Sequence, residues 1–139
     1  VSSAASDVYK RQLSDRTTII HATHLTGGDI AMIAASDTVV SLCPTTEADL
    51  GDGIARVKDL QDAGVRMAIG TDEDVITDPF TELRMLESTA RLVTGTRGVI
   101  GCEALWKIGT RNGVESLRPA AEPLPRQTST PGPGWGRRA

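Results

Sequence analysis

Aromatic residues make up only 3% of this 139-residue chain, too few for the stacking platforms that hold single-stranded nucleic acid. An excess of positive charge is missing too. Fifteen Lys and Arg stand against eighteen Asp and Glu, a net charge of −3, so there is no basic face to grip a phosphate backbone. No apolar run approaches the roughly 18 residues of a membrane span. The N-terminus lacks the apolar stretch of a signal peptide. The default expectation is therefore a cytoplasmic chain with no nucleic-acid or membrane partner. Cysteine is scarce: Cys43 and Cys102 lie far apart, with neither zinc-knuckle spacing nor the density of a secreted disulfide scaffold. Both read as reduced thiols, and Cys43 as a small buried hydrophobe after a strand. Histidine is just as scarce, and there the scarcity is informative. The only two, His21 and His24, fall in a single turn.

What is there is an α/β pattern. Residues 17–20 form an apolar, β-branched run that stops abruptly at His21, and Thr26 with Asp29 then offers a helix start. Ile30, Ile33 and Ala34 keep one apolar face through Ala35. Residues 38–42 read as a second strand stopped by Pro44. Residues 43–53 read as a long loop rich in Thr, Asp, Glu and Gly, of the kind that tends to carry function. Ile54, Val57, Leu60 and Gln61 mark a helix, with Gly64 placed for a left-handed C-terminal residue. Residues 65–69 read as a third strand ending at Gly70. Phe80, Leu83, Leu86, Glu87 and Ala90 predict an amphipathic helix over residues 79–93. Cys102, Leu105, Trp106 and Ile108 suggest a last helix that loses regularity near Asn112 and Gly113.

Three segments result. Residues 1–16 read as an unstructured leader that does not pack, and as a candidate assembly artefact. Residues 17–117 read as one β-α-β-α-β-α-α unit. Residues 118–139, rich in Pro, Gly and Arg, read as a disordered tail. The chain is too short for a closed (β/α)₈ barrel of roughly 250 residues, and it opens on Val rather than Met, as a processed chain or a fragment would.

The strands end at His21, at Cys43 and at Thr71-Asp72. If they are parallel neighbours, these ends line one face, where α/β proteins build their sites. His21 could polarise a water or hydrogen-bond a developing oxyanion; it could equally bond a neighbouring loop backbone. His24 reads more simply as a structural hydrogen-bonding group. Asp72 could ligate a divalent metal and accept a proton from water, or serve as a turn aspartate. Glu73 and Asp74 crowd the same turn and would repel it without a cation or donors nearby. Thr45, Thr46 and Glu47 could bind a small polar substrate, or form an ordinary turn before a helix.

These residues and their order resemble the C-terminal part of an amidohydrolase-superfamily deaminase, within that superfamily the formimidoylglutamate deiminases of histidine degradation. The resemblance is carried by the His21-Ala22-Thr23-His24-Leu25-Thr26 motif and by the stretch from Leu42-Cys43-Pro44-Thr45-Thr46-Glu47 to Gly53-Ile54. Ile69-Gly70-Thr71-Asp72, followed by Asp78-Pro79-Phe80, and the Trp106 and Thr110-Arg111-Asn112-Gly113 stretch complete it. It implies a partial TIM-type (β/α)₈ barrel: three parallel βα units, strands six to eight, with disordered termini. It implies His21 as the catalytic histidine and Asp72 as both catalytic carboxylate and metal ligand. Residues 45–47 become the substrate-facing segment, Zn²⁺ or a similar divalent ion the cofactor, and the full-length enzyme a homodimer. The implied reaction converts N-formimidoyl-L-glutamate and water to N-formyl-L-glutamate and ammonia. Two departures stand out. Glu73-Asp74 replace the Ser-His usual after that aspartate, which leaves room for a purine, pyrimidine or triazine substrate. The His-x-His pair and the strand-five metal histidine of such enzymes are absent, so the chain alone should be inactive. A small non-catalytic α/β module is the reading from another class.

Overall fold

A computed structural model describes residues 12–117. Three short strands, β1 (Thr18–Ile20), β2 (Val39–Leu42) and β3 (Met67–Ile69), form one parallel sheet in the order β1-β2-β3. Ile19 pairs with Val40, and Val40 with Met67. Parallel neighbours need a crossover, and helices supply it: α1 (Gly27–Ala35) between β1 and β2, then α2 (Pro44–Leu50) and α3 (Val57–Asp62) between β2 and β3. After β3 come α4 (Pro79–Thr94), α5 (Cys102–Ile108) and α6 (Arg111–Ser116). The expected α/β class, with three parallel βα units, is the architecture observed. Residues 1–11 and the whole of the expected tail, residues 118–139, lie outside the described residues. Among the described residues no helix is long and apolar enough to cross a membrane.

The core lies between the sheet and its helices. β2 is central and contributes Val39, Val40 and Leu42, all buried, as expected of a parallel strand covered on both faces. Ile30 and Ile33 of α1, Leu60 of α3, and Leu83 and Leu86 of α4 close over it. Each such side chain contributes about 1.5–3 kcal/mol by leaving water.

Local chemistry explains most of the boundaries. Thr26 and Asp29 form a reciprocal capping box at α1, Asp29 accepting from the Thr26 N–H at 2.7 Å and the Asp29 N–H reaching Thr26 Oγ1 at 3.2 Å. The Thr26 hydroxyl, which donates to Asp29 Oδ2 at 2.6 Å, and after it the Thr26 N–H hold the Asp29 carboxyl below its ordinary range. Gly64 takes φ 74°, the left-handed conformation its place after α3 requires. Asp78 caps α4 by accepting from the Phe80 and Thr81 N–H groups, with Pro79 in the first turn, and Gly95 ends the helix.

Four expectations need correction. Residues 44–50 of the expected 43–53 loop are helical, and only its end stays a loop: Pro44 opens α2, where its missing N–H costs nothing, and left-handed Gly51 closes it. Asn112 and Gly113 do not end the helical region but sit in α6, which Asn112 ties to β3 by donating to the Met67 carbonyl at 2.8 Å. Phe80 and Trp106 are exposed rather than on buried stripes. Within residues 12–16, Leu13 packs on the core and the Ser14 carbonyl accepts from Thr38 Oγ1, so this part of the expected leader does pack.

Candidate active site

The three strands deliver three turns to one rim. The ladder runs one residue past the two outer strands: beyond β1, His21 N–H donates to the Ser41 carbonyl at 2.8 Å, and beyond β3, Gly70 N–H donates to the Leu42 carbonyl at 2.9 Å. The chain then bends sharply. His21 and Ala22 take φ of 69° and 54°, and Asp72 takes 46°. Aspartate tolerates this left-handed region; for His and Ala it costs about 1–2 kcal/mol per residue. Strain of this kind gathers where a side chain must be aimed.

The bend aims His21 between two carboxylates. Its Nε2 lies 3.5 Å from Asp72 Oδ2, and its Nδ1 lies 3.4 Å from Glu47 Oε1. The carboxylates differ in setting: the Asp72 side chain is 41% exposed and the Glu47 side chain 5%. The contact with Glu47 is within electrostatic reach but is not a hydrogen bond, and among the described residues the buried Nδ1 has no hydrogen-bond partner. Glu47 Oε1 accepts instead from the Cys43 N–H at 2.9 Å. Burial pushes the Glu47 carboxyl above its ordinary range, against the pull of the Cys43 bond and of His21.

Thr45, Thr46 and Glu47 thus sit in the first turns of α2, all buried. Thr45 gives its N–H (3.1 Å) and its hydroxyl to Glu82. Thr46 Oγ1 lies 3.3 Å from the Thr71 carbonyl and 3.5 Å from the Glu73 N–H, bracing the Asp72 turn. Cys43 is buried, and burial first, then the negative charges of Glu47, Asp72 and Glu82, push its thiol up to about 11. A thiol held protonated is no nucleophile, in keeping with its reading as a small buried group. Close approach at Gly70 is part of this packing: a Cβ there would lie 3.2 Å from Cys43 Sγ.

The remaining polar residues of the two turns stand apart. His24 is exposed and packs its ring edge near Gly53. Asp74 folds back to accept from Thr71 Oγ1 at 2.7 Å, a turn role. Sequence reasoning missed Glu82, fully buried beneath α2. Its signal was an acid in phase with the Leu83, Leu86 and Ala90 face of α4.

Zinc in catalytic sites takes three protein ligands and a water. Asp72 and His21 make two donors, and among the described residues no group of three or more His, Cys, Asp and Glu side chains could hold a metal ion. The described residues therefore do not complete a zinc shell.

Comparison with known proteins places this rim in context. The model of the amidohydrolase family matches residues 5–119. The chain is 41% identical over 80 residues to the formimidoylglutamate deiminase of Pseudomonas aeruginosa, covering 58% of this chain and 18% of that protein. It is 32% identical over 108 residues to a 5-methylthioadenosine/S-adenosylhomocysteine deaminase of Halobacterium salinarum, covering 76% of this chain and 25% of that one. Among solved structures, an amidohydrolase from Brucella melitensis superposes with a TM-score of 0.71 at 32% identity, over 75% of this chain and 25% of the other. An adenosine deaminase from Xanthomonas campestris with bound zinc gives 0.75 at 26% identity, over 82% and 27%. The chain thus spans about a fifth to a quarter of the length of the curated relatives it matches.

Proposed function

The chain belongs to the amidohydrolase family, and on that premise we propose that it forms strand-six to strand-eight units of a deaminase acting on N-formimidoyl-L-glutamate. The observation that carries the reading is His21 Nε2 set 3.5 Å from Asp72 Oδ2 across one rim. The 41% identity to a formimidoylglutamate deiminase supports the substrate.

In this reading the substrate's formimino carbon lies against the His21–Asp72 pair, with Thr45, Thr46 and Glu47 behind it. The water oxygen bonds to that carbon and the carbon–nitrogen bond to the terminal nitrogen breaks. Asp72 accepts the first proton of the water and passes it on. Both water protons end on the departing nitrogen, which leaves as ammonia, and the formyl oxygen remains. His21 Nε2 takes the second proton of the water, donates that hydrogen to the oxygen as it gains charge in the tetrahedral intermediate, and then releases it to the departing nitrogen. Asp72 is also proposed as one ligand of a divalent ion, zinc or similar, whose other ligands the described residues do not supply. The site takes a small molecule. The homodimer and the cytoplasmic compartment belong to the same proposal for the whole enzyme.

A nucleoside or purine substrate is the second reading, supported by the longer match to the Halobacterium salinarum deaminase and by Glu73-Asp74 after the catalytic carboxylate. Ammonia release by the enzyme that contains this chain decides between them. The first reading expects turnover of N-formimidoyl-L-glutamate and none of 5′-methylthioadenosine or guanine; the reverse preference would replace it, and release from none of them would end both.

A further inference from the structure

We propose that Glu47 is the positioning residue that fixes the His21 imidazole with its hydrogen on Nδ1, leaving Nε2 free to face the space shared with Asp72. The consequence for catalysis rests on the roles given to His21 and Asp72 above; the placement of the hydrogen does not.

Both carboxylates stand at nearly the same distance from the ring, 3.4 Å and 3.5 Å, so distance does not choose between them. Their surroundings do. Glu47 is almost wholly buried, whereas Asp72 is 41% exposed. The same charge at the same distance acts several times more strongly where water is excluded. Nδ1 is itself buried and among the described residues has no other partner. A bare lone pair there would face the Glu47 carboxylate with nothing to relieve the repulsion. On the Asp72 side the ring is open enough for water to donate to a bare Nε2. The hydrogen therefore belongs on Nδ1.

Glu47 is built to hold this position. Its Oε1 is anchored by the Cys43 N–H at 2.9 Å. Its helix is anchored one residue before Thr46 by the Thr45–Glu82 bonds. The strained backbone at His21 and Ala22 brings the ring to it. A carboxylate behind a histidine, setting which nitrogen carries the hydrogen and steadying the ring when it takes a second proton, is the orienting logic of a catalytic triad. Here it is assembled from a strand end and the helix of the next βα unit.

The test reads the tautomer directly. The chain holds only two histidines, so a long-range ¹H–¹⁵N spectrum of the ¹⁵N-labelled 139-residue chain shows two imidazoles, recorded at a pH where both are neutral. His24, exposed on the same turn, is the internal control. The expected result is the Nδ1–H form as the major species at His21, with the ratio of Nδ1–H to Nε2–H falling about tenfold in Glu47→Gln, the difference between a charged and a neutral group held close to a buried ring nitrogen. Asp72→Asn should change that ratio less than twofold. A major Nε2–H form in the unaltered chain would overturn the proposal, whether or not any variant folds. A ratio unmoved by Glu47→Gln, or moved more by Asp72→Asn, would overturn it as well. No turnover enters the measurement, so failure of the proposed reaction and failure of the hydrogen placement are read independently.

Discussion

Glu47 and Glu87 are both buried carboxylates on helices that accept backbone N–H groups, yet the protein treats them in opposite ways. Glu87, on α4, receives the N–H groups of Val99 (3.2 Å) and Ile100 (2.8 Å) and the guanidinium of Arg91 at 2.8 Å. Burial works against its charge, but the Arg91 and backbone bonds outweigh it and hold the carboxyl below its ordinary range. Glu47 receives one backbone N–H, faces a histidine, and has Glu82 as a like-charged neighbour, so burial prevails and its carboxyl is raised. The first arrangement satisfies a charge in order to join α4 to the segment leading into α5. The second keeps a charge under-satisfied beside the residue that needs it. Raised carboxyls of this kind gather at functional sites, and the strained φ values of His21 and Ala22 fall on the same side. The scaffold and the rim follow different rules.

Removing the Glu87 carboxylate is the severest way to break the contrast. Glu87→Ala strands two buried N–H groups and should cost about 2–4 kcal/mol, read as a lower urea midpoint. A loss no larger than that of an exposed substitution would mean that Glu87 holds nothing together. The rim should answer in the other direction. Ala22→Gly relieves a left-handed alanine and should raise stability by about 0.5–1 kcal/mol in the same titration; a loss would show that the turn is not strained.

The smallest effect is the most diagnostic, because it depends on sign. A carboxyl raised in the folded state binds its proton more tightly there. The Glu47 contribution therefore falls as pH rises from the ordinary value near 4.5 through the raised one, and stays low above it. Glu87 is the reverse: its contribution is complete above the ordinary value and is lost as pH falls through the depressed one. Glu47→Gln should flatten the decline above pH 4.5 and change neutral-pH stability by no more than about 1 kcal/mol. Glu87→Gln should instead remove the loss at acid pH. Stability against pH for the two variants separates the cases, and matching profiles would erase the distinction.

How far the sequence exposes each region follows from the same physics. His21 and Asp72 are legible because an apolar, β-branched run that stops at a polar residue marks a strand end, and parallel strands bring such ends together. The Thr26–Asp29 cap and Gly64 are legible because their chemistry is local. The helix at residues 44–50 is not, since proline after a strand signals a stop as well as a helix start, and two threonines weaken the helical signal. Glu82 and Glu87 are hard to value from sequence for another reason. An acid on an apolar stripe looks like an imperfection until its partners, Thr45 in one case and the Val99 and Ile100 N–H groups in the other, arrive from distant positions. Asn112-Gly113 reads as a break for the same lack, since its tie to the Met67 carbonyl spans 45 positions.

That His21 and Asp72 act as one unit is tested most directly by turnover in the enzyme that contains this chain. His21→Ala and Asp72→Ala should each lower kcat for ammonia release by about a thousandfold, and the double variant should be no worse than the slower single one, because groups serving one step are not additive. Losses that multiply in the double variant would place the two residues in separate roles and contradict the shared site.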